Sequence, residues 1–151
     1  MTHSFGLFWR AVGAFLALPA VIGFMVPWML HPSSTPPGAF GIGLLVVGSF
    51  LLLWCVRDFY VAGRGTLAPW APPENLVEVG LYRWSRNPMY IAVMIVLVGW
   101  AAAFASPTLW IYALCIAVAF HFRVATHEEP FLLRTHGDAW LSYRARVRRW
   151  I

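Results

Sequence analysis

Gly80-Leu81-Tyr82-Arg83-Trp84-Ser85-Arg86-Asn87-Pro88-Met89-Tyr90 is the densest cluster of polar and reactive residues in the chain, and it leads straight into an apolar run that lasts to Ala105. A second apolar run, Thr108–Phe122, follows after Ala105-Ser106-Pro107-Thr108, which leaves room only for a tight turn. Beyond it stands a pair of carboxylates, Glu128-Glu129. Two apolar helices joined by so short a turn form an antiparallel hairpin. Its open ends lie side by side, so Asn87-Pro88 and Glu128-Glu129 are brought to the same depth.

Composition extends this hairpin into a membrane fold. The chain is 60% apolar and only 11% charged, which is not the balance of a soluble domain. Its apolar residues fall into four blocks, Phe8–Leu30, Phe40–Val56, Met89–Ala105 and Thr108–Phe122. Each is close to the ~17–25 residues needed to cross a bilayer, the last two marginally short. The first block is too long for the apolar region of a cleaved signal peptide. The expected fold is an all-α integral membrane protein with four transmembrane helices and a C-terminal amphipathic interfacial helix.

Arginine carries all the positive charge, and its placement sets the topology. The loop His31–Ala39 and the turn at Ser106-Pro107 contain none. Arg10 lies at the start of the first block, Arg57, Arg64, Arg83 and Arg86 lie between the second and third, and Arg123 through Arg149 follow the fourth. The positive-inside bias puts both termini and the long middle loop in the cytoplasm of a multi-pass protein. The absence of lysine suggests a GC-rich bacterial genome, hence an inner membrane. The net charge of +5 then faces anionic headgroups. No basic patch falls on a soluble face, which excludes a nucleic-acid partner. Trp9, Trp28, Trp54 and Trp110 sit near span ends, as an interfacial belt requires. Cys55 and Cys115 lie in apolar stretches without paired spacing and are read as buried thiols; no metal site is expected.

Residues 1–62 read as a two-span anchor or wall, and 63–151 as a cofactor-binding loop, hairpin and amphipathic tail within one membrane domain. Pro19 and Pro27 would kink the first span, which lipid tolerates where neighbours satisfy the freed carbonyls. Gly41, Gly43 and Gly48 would let the second span pack closely. The glycine- and proline-rich stretch Gly63–Pro73 is an extended path at the cytoplasmic surface, either a lid or a plain connector. In the tail, Leu132, Leu133, His136, Trp140, Tyr143 and Val147 recur at helical spacing opposite Arg134, Arg144 and Arg148, with a break near Gly137.

Arg86-Asn87-Pro88 is a helix start, with Asn as N-cap and Pro in the first turn. Such an end also attracts anions, and Arg86 adds a full charge. Glu128 and Glu129 either pair with Arg123 and the tail arginines or accept hydrogen bonds from a ribose diol or an ammonium group. Pro130 disfavours helical geometry at Glu129, so a turn is expected there. An anion site, two carboxylates and the aromatic Tyr82, Trp84 and Tyr90 suit a zwitterionic, nucleotide-like ligand with a cation, such as S-adenosylmethionine. Spacing alone does not identify it.

The two pieces together resemble the signature of the isoprenylcysteine carboxyl methyltransferase family, which is similar to the membrane phospholipid methyltransferases. Its first part corresponds to Gly80, Tyr82, Arg86, Asn87, Pro88 and Tyr90, its second to Glu128, Glu129, Leu132, Gly137, Trp140, Tyr143 and Val147. Gly63-Arg64-Gly65-Thr66, Ala68-Pro69 and Leu76-Val77 look like the bacterial branch. The resemblance covers Gly63 to the C-terminus. It implies an S-adenosylmethionine-dependent methyltransferase acting on a lipophilic acceptor of the isoprenylcysteine carboxylate type, which enters from the bilayer. It further implies that Tyr82, Arg86, Asn87, Pro88, Met89, Tyr90 and Glu128 line the cofactor pocket, with Glu74, Asn75, Leu76 and Val77 beside the adenosyl part. Asn87 stands where eukaryotic members carry His. The basic residue that holds the acceptor just before the glutamate pair is replaced by Ala125-Thr126-His127, which moves that part to Arg123, a turn earlier. A carboxylate acceptor needs no general base; for an amine, His127 or Glu129 is the candidate.

Three other classes compete. A four-span transporter would hold an ionisable residue in mid-membrane, and none of the four blocks does. A non-catalytic scaffold, or a glutathione-type membrane transferase, would also account for the composition. Membrane lipids are expected partners, and the glycine-rich faces permit a homodimer.

Overall fold

The computed structural model describes residues 16–31, 34–62 and 75–151. A π-helical run Leu16–Met25 continues as α-helix Val26–Leu30, together α1; α2 is Ala39–Ala62, α3 Pro88–Phe104 and α4 Pro107–Arg123. A 3₁₀ turn, Gly80–Arg83, precedes α3. After α4 a π-helical segment, Val124–Glu128, leads into α5, Glu129–Arg146. Among the described residues there is no β-strand, only an isolated parallel bridge between Ser85 and Arg148.

The helical class agrees with the sequence reading; of the four expected spans, two reach full length among the described residues. Two of the described helical runs are long and apolar enough to cross a membrane, Ala39–Phe59 and the continuous run Pro107–Arg146, whose apolar part ends before Arg123. Pro19–Leu30 and Pro88–Phe104 are shorter apolar helices, and the beginning of the first block lies outside the described residues. The cause in α3 is local. Pro88 fixes its start, and Ala105 ends it by adopting a left-handed conformation (φ 47°) that closes the helix and feeds the turn into Pro107.

α3 is the central helix. Ala92, Val93, Val96, Leu97 and Ala101 are buried, packed by α2 on one side and α4 on the other. The α2–α3 approach depends on glycine. A Cβ at Gly48 would come within 2.8 Å of the Val96 nitrogen, one at Gly99 within 2.8 Å of the Leu45 nitrogen, and one at Gly41 would overlap the Ala103 backbone. Gly43 faces open space, so only two of the three α2 glycines serve the packing expected of them.

α1 illustrates how a proline-containing helix keeps its backbone satisfied. Pro27 has no N–H to offer either Gly23 O, its partner in α-helical register, or Ile22 O, its partner in π-helical register. Trp100 Nε1 of α3 donates to Gly23 O at 3.0 Å, and Tyr112 Oη of α4 donates to Ile22 O at 3.0 Å. Neighbouring helices thus supply the missing donors, as the sequence led one to expect.

The outward faces of α2 and α4 carry Phe40, Val46, Phe50, Ile111, Leu114 and Val118, all exposed. Trp28, Trp54 and Trp110 are exposed as well. Of the two cysteines Cys55 is buried, but Cys115 is exposed on α4, which corrects the reading of two buried thiols. The tail also differs from a single surface helix. α5 is broken at Gly137 (φ 50°, ψ −121°) as expected, but Trp140 and Tyr143 are buried, and the helix stops at Arg146.

Candidate functional site

The first half of the polar stretch is set by burial. Gly80 takes a positive φ of 57°, and a side chain there would collide with the Asp58 carboxylate. That tight fit seats Tyr82 in a cluster with Cys55 and Val77, its ring 5.3 Å from that of Phe59. The Tyr82 hydroxyl has no hydrogen-bond partner among the described residues, and burial pushes its pKa well above the ordinary value. Its carbonyl accepts a 2.7 Å hydrogen bond from the Tyr143 hydroxyl, which ties the turn to α5.

Pro88 occupies the first position of α3 and Asn87 the N-cap position, as read from the sequence. The Asn87 side chain does not cap, however. Its Nδ2 donates to Arg149 O at 2.9 Å, while its backbone N–H donates to Ser85 Oγ at 3.1 Å. No side chain caps the first turn of α3, so the positive end of its dipole stays open.

Tyr90, in the first turn of α3, meets Glu128 across the mouth of the hairpin. The Tyr90 hydroxyl donates to Glu128 Oε1, and Arg123 Nε donates to the same oxygen at 2.9 Å and to Tyr90 Oη at 3.1 Å. Phe120 packs on the Tyr90 ring, centroids 4.4 Å apart. The π-helical segment makes this arrangement possible, because an i→i+5 register puts Arg123 and Glu128 on one face. It also accommodates Pro130, whose ring would crowd the carbonyl four residues back in a regular α-helix. The expected turn is therefore absent: Glu129 is helical (φ −62°, ψ −43°) and the chain runs on through it. Glu128 Oε2 accepts no hydrogen bond from any described residue, and the side chain is 30% exposed.

Glu129 stands in a different environment. Arg149 grips both of its oxygens, Nε to Oε1 at 2.8 Å and Nη2 to Oε2 at 2.9 Å, and Arg86 Nη1 lies 3.0 Å from Oε1. The Arg86 guanidinium also sits 5.4 Å above the Trp140 ring. Burial alone would raise the Glu129 carboxyl, but the Arg149 hydrogen bonds and the Arg86 charge hold it below the usual carboxylate range. Burial works in the same way against the Arg86 charge, which Glu129 offsets. Arg86 is thus engaged with a carboxylate of its own chain rather than left open at the helix end.

The residues named from the sequence therefore fall into three groups. Val77 and Tyr82 share one cluster, with Leu76 half-buried and Asn75 exposed beside it; Met89 packs both on that cluster and on the main core. Tyr90, Glu128 and Arg123 form the second. Arg86 and Glu129 form the third, with Pro88 and Asn87 between the last two. Glu74 and the stretch Gly63–Pro73 lie outside the described residues. His127 is exposed and bonded to Thr126 Oγ at 2.6 Å. Sequence reasoning missed Arg149, Ser85 and Trp150. Reading the tail as one amphipathic helix hid the fact that Val147–Ile151 leaves that helix and returns to Ser85–Asn87.

With this geometry in hand, comparison with known proteins is decisive at one level. The family model described as Phospholipid methyltransferase matches residues 37–139, well over half of the chain, from the start of α2 into α5. The chain belongs to the phospholipid methyltransferase family. This family of membrane-associated methyltransferases includes the isoprenylcysteine carboxyl methyltransferases, and its members generally use S-adenosylmethionine. A membrane methyltransferase domain is thereby established, without singling out a member. No curated protein and no solved structure matches the chain.

Proposed function

We propose that the protein is an S-adenosylmethionine-dependent membrane methyltransferase that moves a methyl group to a lipophilic acceptor, an isoprenylcysteine-type carboxylate or a similar group. The observation that carries the reading is the Tyr90–Glu128–Arg123 cluster, placed where an uncapped helix end and an apolar cavity meet.

The residues present fit the cofactor. Glu128 keeps one oxygen free to accept from a ribose diol or an ammonium group, while Tyr90 and Arg123 fix its orientation through the other. The open start of α3 offers backbone N–H groups to a carboxylate. Tyr90 and Phe120 present aromatic faces to a sulfonium. Tyr82, with its unpartnered hydroxyl, and Val77 would flank the adenosyl part.

A bound S-adenosylmethionine would supply a methyl group already activated for displacement. The chain's own task is then orientation and exclusion of water, which together account for much of the acceleration in such transfers. Glu129, held ionised by two arginines, serves as the post that fixes Arg86 and the start of α3 rather than as a base. Arg123 keeps a partly exposed guanidinium near the reacting region, suited to steady an anionic acceptor. A carboxylate acceptor requires no proton removal, consistent with a site whose glutamates both carry arginine partners.

In this reading α1 to α4 all cross the membrane and both termini are cytoplasmic. α3 spans roughly 25 Å at 1.5 Å per residue, short of a ~30 Å hydrocarbon layer. Its position between α2 and α4 shields it from lipid, so the mismatch falls on protein neighbours. The direct test supplies purified protein in bilayers with methyl-labelled S-adenosylmethionine and follows transfer of label to organic-extractable material. Wild type should transfer label and Glu128→Gln should not; no transfer to any prenylated, phospholipid or fatty-acid acceptor would count against the reading.

A further inference from the structure

Val147–Ile151 forms a strap across the mouth of the hairpin. Arg86 N donates to Arg148 O at 2.9 Å, and Arg149 O accepts from Asn87 Nδ2 at 2.9 Å and Ser85 Oγ at 3.3 Å. The Arg149 side chain meanwhile holds both oxygens of Glu129. A residue pinned on both its backbone and its side chain leaves its successor little freedom. That successor is Trp150, half-buried against the core of α3 and α4, its indole 6.3 Å from the His121 ring with planes 29° apart.

On one side of Trp150 lies an apolar cavity of about 430 Å³ between α2, α3 and α4, lined by Leu44, Met94, Val98, Ala117 and Phe120 among others. On the other side is a groove of about 460 Å³ flanked by Arg83, Arg146 and Arg148. Trp150 and Ile91 are the lining residues the two have in common. Phe120 links the first cavity to chemistry, because the ring that lines it also packs on Tyr90.

We propose that Trp150 is a specificity-determining residue, the wall that closes the cytoplasmic end of the apolar cavity and confines the tail of a methyl acceptor to it. The proposal rests on the methyltransferase reading above. The occupant is an aliphatic tail drawn from the bilayer. Leu44 and Ala117 line the cavity one helical turn from Val47 and from Leu114, and Ala117 is next to Val118; these three are exposed apolar side chains, so cavity and lipid-facing surface adjoin on α2 and on α4. A tail lying along α3 and ending at Phe120 brings its polar head beside Tyr90 and Glu128. Replacing the indole with a small side chain would join the two compartments and let a tail bend into the groove under the arginines.

The test photolyses full-length protein in bilayers containing palmitic acid with a terminal diazirine, and maps the label that unlabelled palmitic acid competes away. Wild type should carry this label on Met94 and Val98, away from the head, and little on Leu81–Pro88. Trp150→Ala should raise labelling of Leu81–Pro88 at least tenfold, whereas Trp150→Phe should keep the wild-type pattern. Should the alanine variant not fold, Trp150→Leu should show the same spread to a smaller degree. Competable label absent from Met94 and Val98, or the same pattern in all variants, would overturn the proposal. Calorimetric titration of the same preparations with S-adenosylmethionine separates the two claims. A wild type that binds cofactor but fails the labelling test loses the wall alone; one that labels as expected but binds no cofactor loses the methyltransferase reading and keeps the wall as a lipid-tail stop.

Discussion

Glu128 keeps a free oxygen at a surface where its side chain is 30% exposed, whereas the next residue, Glu129, is 10% exposed with both oxygens held by Arg149 and one also facing Arg86. The two clusters share a backbone segment and differ in saturation. An unsaturated, half-open carboxylate is available to a ligand; a saturated, buried one is available only to the fold. The contrast shows that a Glu-Glu pair need not be a dyad. The π-helical segment ends at Glu128 and α5 begins at Glu129, so the neighbours diverge to opposite tasks.

The comparison is broken most severely by removing Glu129. Glu129→Ala leaves Arg86 buried without its counter-charge and is expected to cost about 3–5 kcal/mol, read as a lowered unfolding midpoint in detergent. Glu128→Gln should cost less than about 1 kcal/mol in the same measurement. Equal losses would mean that the two carboxylates are not partitioned as described.

Acid sharpens the same point. The Glu129 carboxyl is held below its usual range in the folded protein. The folded state therefore binds fewer protons than the unfolded one as pH falls through the unfolded value of about 4.3. The stabilisation is complete above that value and is lost as pH drops through the depressed folded value. Unfolding midpoints from pH 7 to pH 3 should fall more steeply for wild type than for Glu129→Gln, and parallel curves would argue against the ion pair. A smaller effect is expected from Arg149→Lys, which keeps the charge but loses the two-pronged grip. A loss of about 1 kcal/mol is expected, with a looser strap seen as faster proteolysis at Arg148. The smallest effect concerns the closed end of the hairpin, remote from both clusters. Ala105→Gly relieves a left-handed backbone and should stabilise by about 0.5–1 kcal/mol without altering ligand binding.

Much of this was legible in the sequence. Ala105-Ser106-Pro107-Thr108 dictated a hairpin, and the hairpin brings Tyr90 and Glu128 to the same end of the bundle. Pro27 announced freed carbonyls and the need for donors on neighbouring helices. What was not legible depended on register and on the return of the chain. Pro130 next to Glu129 reads as a turn because a regular α-helix excludes proline there; a wider π register removes the conflict, and no residue pattern signals it. Arg149 gave no sign of its partner, since the reach from the tail to Glu129 and Asn87 depends on the bend at Gly137 and on the exit from helix after Arg146. Arg86 looked like an open anion site for the same reason: its counter-charge comes from the far side of the hairpin.

The central claim is that Glu128, and not Glu129, is the carboxylate offered to the cofactor. Titrating purified protein with S-adenosylmethionine by calorimetry, beside Glu128→Gln and Glu129→Gln variants shown to be folded, tests it directly. The account predicts micromolar binding to wild type, a loss of at least tenfold in Glu128→Gln, and affinity within about threefold of wild type in folded Glu129→Gln, since about 1.4 kcal/mol corresponds to a factor of ten. Binding that survives in Glu128→Gln, or that is lost only in Glu129→Gln, would contradict it.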